Sequence, residues 1–94
     1  MSRVDLNCRP VLAAYVRLKT DPVSGDPILV FPEGVMILNA TAHAILVLCD
    51  GHATGHDILT ALSTQFEVDE PTLRSDVVEC VADLVQRNLI ILKS

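Results

Sequence analysis

The sequence predicts an α+β domain of winged-helix-like order, a three-stranded antiparallel sheet followed by three helices. Three observations lead there. The front third alternates apolar and polar residues, or runs in short apolar bursts, between Pro and Gly turns. The remainder carries helix-capping residues, each followed by apolar positions recurring every three or four residues. The links between the expected strands are short, which favours an antiparallel meander.

Ala14, Val16 and Leu18 share one face of an expected first strand over Ala14 to Lys19, with Tyr15, Arg17 and Lys19 on the other. Thr20 to Pro27 is a turn, since Pro fixes φ and Gly25 supplies positive φ. Ile28 to Phe31 makes a second strand; Pro32-Glu33-Gly34 breaks it, and Val35 to Leu38 makes a third. Asn39 is placed to cap a first helix over Ala40 to Cys49 or Asp50, with Gly51 just past its end. Ala42, Ile45, Leu46 and Cys49 lie on one face of that helix. Thr54, with Asp57 three residues on, is a capping-box pair for a second helix that buries Ile58, Leu59, Leu62 and Phe66. Asp69, Glu70 and Pro71 open a third helix running to about Arg87, where Asn88 can take the left-handed stop. Leu89 to Leu92 can add a short terminal strand. Residues 1–10 read as a flexible leader and 11–94 as a single domain.

Composition narrows the function classes. Half of the 94 residues are apolar, enough for one compact core, and Tyr15, Phe31 and Phe66 are the only aromatics. The net charge of -5 and the scatter of Arg3, Arg9, Arg17, Lys19, Arg74, Arg87 and Lys93 argue against nucleic acid and against an anionic membrane surface. No stretch approaches a signal peptide or a membrane span. Cys8, Cys49 and Cys80, odd in number and widely spaced, suit a reducing cytoplasm better than a disulfide framework.

Catalytic patterns are missing. The four glycines stand singly at turns, the serines have no nucleophile-elbow setting, and the carboxylates sit where caps and solvated faces put them. Cys49, His52 and His56 have a C-x2-H-x3-H spacing, but Asp50 or Asp57 could serve as a fourth ligand only by contortion and Cys49 lies on a buried helix face. The expectation is therefore no enzyme, no metal and no cofactor.

Two segments carry more apolar surface than a small core requires. On the third helix Leu73, Val77, Cys80 and Leu84 form one stripe, and Arg74, Val78, Val81 and Val85 form a second. Val35, Met36, Ile37 and Leu38 are apolar on both faces of the third strand. Either these residues complete the core, or they line a groove that takes an extended peptide as a further strand.

The segment Ile28 to Thr54, ILVFPEGVMILNATAHAILVLCDGHAT, resembles the PqqD family of pyrroloquinoline quinone (PQQ) biosynthesis. The likeness rests on Pro32-Glu33, Leu38-Asn39, Thr41-Ala42, Ile45-Leu46 and Asp50-Gly51. It continues through Ile58, Leu62, Phe66, Asp76-Val77 and Leu89-Ile90, spanning roughly Pro10 to Leu92. One departure is Asn88, where the family usually has Gly. The resemblance implies a winged-helix-type peptide chaperone, or RiPP recognition element, that binds the precursor peptide PqqA and presents it to the radical SAM enzyme PqqE. It also implies a peptide lying along Val35, Met36, Ile37 and Leu38 and against Arg74, Val77, Val78, Val81 and Val85. A monomer or homodimer fits this reading. The rivals are a winged-helix DNA-binding protein and a dimerisation module.

Overall fold

A computed structural model describes residues 4–93. The elements run β1 (Arg9–Leu12), β2 (Arg17–Thr20), β3 (Pro27–Phe31), β4 (Gly34–Ile37), α1 (Ala40–Val47), α2 (Gly55–Ser63), α3 (Glu70–Gln86) and β5 (Ile90–Lys93). The three-stranded antiparallel sheet has the order β2-β3-β4 and precedes the three helices, as the sequence predicts. A second, two-stranded sheet pairs β1 with β5, joining the two ends of the described chain.

The caps act as read from the sequence. Asn39 accepts from the Ala42 N–H, and Asp69 from the Thr72 N–H. Thr54 and Asp57 form a complete capping box. The Thr54 N–H bond to the Asp57 carboxylate is the largest of the causes that hold this acid below its ordinary pKa. Asn88 adopts φ 64°, ends α3, and lets Leu89 N–H reach the Leu84 carbonyl.

The end of the first helix and the start of the first strand differ. The first helix stops at Val47, with Leu48 as its cap. Gly51 is left-handed at φ 83° but lies three residues beyond, where its N–H donates to the Pro10 carbonyl. The first strand of the three-stranded sheet begins at Arg17 rather than Ala14, because Ala14 and Tyr15 turn the chain out of β1. Tyr15 then donates its hydroxyl to the Asn88 carbonyl, a tertiary tie that outweighs local alternation.

The expected leader overlaps the first strand. Residues 1–3 lie outside the described residues, but Pro10 is buried and Arg9–Leu12 is a strand. Upstream, the Cys8 and Leu6 carbonyls accept from Gly55 and His56, the first two N–H groups of α2, which have no partner within the helix. A run of Arg-Pro-Val-Leu shows no alternation, so its strand state depends on β5 arriving as partner.

The core is aliphatic. Leu29 from β3, Ile45 and Leu46 from α1, Ile58 and Leu62 from α2, and Leu73, Val77, Val81 and Leu84 from α3 are its centre. Phe66 lies beyond the end of α2 yet still packs on it.

Gly55 is buried beneath the leader, and a Cβ there meets Leu6 Cδ2 at 2.7 Å and Leu6 Cα at 2.9 Å. Gly55→Ala must push the leader backbone away from the α2 N-terminus. The expected cost is about 1–3 kcal/mol in denaturant unfolding, as for other overpacked sites. Amide exchange at Gly55 and His56 should accelerate, and an unchanged exchange rate there would count against the clamp.

Candidate peptide-binding edge

The site starts from the register between β3 and β4. Ile28 pairs with Ile37, Leu29 with Met36, and Val30 with Val35. One residue further on, Leu38 N–H donates to the Pro27 carbonyl at 3.0 Å, which makes Pro27–Leu38 a hydrogen-bonded pair. Antiparallel pairs alternate between bonded and non-bonded, so Met36 also turns its backbone groups toward β3. Val35 and Ile37 then turn theirs away, to the free side of β4. The two residues are 59% and 72% exposed, and among the described residues no strand pairs with β4 on that side.

The other edge of the sheet is guarded. β2 carries Arg17 and Lys19, and the Arg17 guanidinium donates to the Ala14 and Val16 carbonyls. Charged side chains on an edge strand discourage pairing with another chain. β4, Gly-Val-Met-Ile, has neither charge nor proline.

Two hollows mark the ends of β4. One, of about 520 Å³, is lined by Tyr15, Phe31, Pro32, Glu33, Arg87, Asn88 and Leu89 at the turn where β4 begins. The other, of about 350 Å³, lies where β4 runs into α1, between Asn39, Thr41, Ala42 and Ile45 on one side and Asp76, Glu79, Cys80 and Asp83 on the other. The first turns of α1, which follow directly on β4, thus face the flank of α3 that carries Asp76, Glu79 and Asp83.

The nine residues singled out from the sequence separate into three groups. Val35 and Ile37 stand open at the edge; Met36 faces inward, and Leu38 is buried. Val77 and Val81 are core residues, only 1% and 2% exposed. Arg74, Val78 and Val85 lie on the other flank of α3: at about 100° per residue, Val78 is roughly opposite Asp76 and Val85 roughly opposite Asp83. Val78 and Val85 are half-buried, and Arg74 pairs with Glu70 of its own helix at 2.7 Å.

Sequence reasoning missed the acidic flank of α3 and the partly exposed Ile28 and Val30 of β3. The second omission had a signal. Ile28 to Phe31 is apolar on both faces, the same pattern that singled out β4.

Among the described residues no group of three His, Cys, Asp or Glu is arranged to hold an ion. Burial pushes the Cys49 thiol up to about 12 and the Cys80 thiol up to about 11, so both stay protonated at neutral pH. His52 and His56 are exposed.

These features define a class, a winged-helix-like domain whose three-stranded sheet has one open, uncharged edge. Its relatives give the family. Residues 28–90 match the family profile described as "Coenzyme PQQ synthesis protein D (PqqD)", and the chain belongs to that family. It is 32% identical over 87 residues to the PqqA binding protein of Rhodopseudomonas palustris, covering 93% of this chain and 85% of that one. It is 34% identical to the PqqA binding protein of Acinetobacter baylyi over 88 residues, covering 94% and 88%. The fold is similar to the solution NMR structure of the PqqD truncation of Methylobacterium extorquens PqqCD, described as a functional, stand-alone RiPP recognition element. The TM-score is 0.73 at 30% identity, with 87% of each chain covered.

Because Val81 is in the core, a charge there tests folding rather than peptide capture. Val81→Asp is expected to cost more than about 3 kcal/mol, the scale of an unpaired buried charge, and to remove the helical circular dichroism. Val78→Asp, on the half-buried flank, should leave the chain folded. A folded Val81→Asp protein would contradict the assigned helix phase.

Proposed function

We propose that this chain is a peptide chaperone of PQQ biosynthesis. It captures a PqqA-like precursor peptide and presents it to a PqqE-like radical SAM enzyme, with no turnover of its own. The carrying observation is the free edge of β4. There Val35 and Ile37 offer their N–H and C=O groups to solvent next to exposed aliphatic side chains. A guest strand would take its affinity from those main-chain bonds and its selectivity from the side-chain sites on either hand. The names of the relatives support the choice of peptide, since the curated ones are PqqA binding proteins.

The edge also limits the guest. β4 has four residues, so the paired segment is about 13 Å long at strand rise. An antiparallel guest would begin near the Asp76–Asp83 hollow and end near the Tyr15–Asn88 hollow.

Ile37→Pro removes an outward N–H without touching a bond to β3, a substitution that edge strands tolerate. With a synthetic PqqA peptide, calorimetry should show affinity reduced by about tenfold or more, equivalent to about 1.4 kcal/mol. The circular dichroism should be retained. Peptide affinity equal to that of the parent protein would refute strand addition at β4.

A further inference from the structure

The sheet has a second surface, distinct from its edge. Leu18, Leu29 and Met36 are in mutual register and point to the core. The opposite face therefore holds Arg17 and Lys19 from β2, Ile28 and Val30 from β3, and Val35 and Ile37 from β4. Ile28–Ile37 and Val30–Val35 are the non-hydrogen-bonded pairs, in which facing side chains stand closest. The four residues form a two-by-two block of β-branched aliphatics. Arg17 lies directly across from Val30, and Lys19 across from Ile28, so cations border the block along one side.

The charge on this face runs against that of the molecule. The chain carries a net charge of -5, yet β2, β3 and β4 contain no carboxylate. Among the described residues neither Arg17 nor Lys19 takes part in an ion pair; the pairs found are Arg74–Glu70 and Arg87–Asp83. An apolar block with a charged rim has the make-up of a protein-docking surface.

We propose that this outer sheet face docks the enzyme that modifies the peptide, through an apolar patch flanked by carboxylates on that enzyme. The inference rests on the reading of β4 as the peptide edge. A strand added to β4 sends every second side chain to this same face, beside Val35 and Ile37. An enzyme seated here meets the scaffold and the guest together. Charge complementarity selects the occupant. Two copies of this chain stacked face to face would instead bury Arg17 and Lys19 of both copies with no carboxylate from either sheet.

The test uses residues outside the proposed peptide site. The full chain, Lys19→Glu, and Lys19→Glu combined with Ile28→Thr are titrated against the purified radical SAM enzyme of the same pathway, and separately against the PqqA peptide. The expected result is enzyme affinity about tenfold weaker in the double variant and reduced in Lys19→Glu, with peptide affinity within about twofold of the parent. The enzyme interaction of the parent should also weaken as salt rises. Unchanged enzyme affinity in both variants overturns the docking face and leaves peptide capture standing. Loss of peptide affinity in a folded variant assigns the face to the peptide site and overturns the proposal. So does sedimentation showing a parent dimer that Lys19→Glu disperses. Failure of the peptide reading itself appears elsewhere, as full peptide affinity in Ile37→Pro.

Discussion

The hydrogen bond from Leu38 N–H to the Pro27 carbonyl sets the phase of the whole functional end of the molecule. It fixes which residues of β4 spend their backbone groups on β3 and which keep them free. It also closes the strand, because Asn39 follows at once as the cap of α1. The edge is therefore short, and its polarity is fixed relative to α3. Proline at position 27 supplies the acceptor and no return donor to Leu38, a loss tolerated at the first residue of a strand. Were the register to slip by one residue, Met36 would be exposed and Val35 and Ile37 would turn to the core.

The opposite end of the domain is held differently. Pairing β1 with β5 brings the two ends of the described chain together, and the leader caps α2 through two backbone bonds. Gly51 N–H and the Pro10 carbonyl tie the α1–α2 loop to the same strand pair. α3 packs on β5 at this end, while α1 packs on β3 of the three-stranded sheet.

Much of this was legible in the sequence because the signals were local. Asn39, Thr54 with Asp57, Asp69 and Asn88 each fix a helix end through bonds to near neighbours, and each acts as read. The apolar run of β4 was legible too, and its excess proved to be outward-facing in Val35 and Ile37. What was not legible depended on distant partners. Arg9–Leu12 becomes a strand only against Ile90–Lys93, about 80 residues away in sequence. Of the second stripe of α3 only Val81 is buried, because a helix lodged against two others and a terminal strand buries a wider arc than one stripe. Val81 is consumed by that wider arc, and the flank that faces α1 is polar.

The order of elements is also that of many DNA-binding proteins, and fold alone does not choose between the uses. The surface does. The last helix exposes Glu70, Asp76, Glu79 and Asp83, and a phosphate backbone would meet repulsion along its length. The sheet offers two unlike edges, β2 carrying an arginine and a lysine and β4 carrying none. An edge left free of charges exposes its main-chain groups to pairing, and evolution ordinarily removes such exposure. Its presence on one side only, at the strand that runs on directly into α1, is what the proposed addition of a guest strand requires.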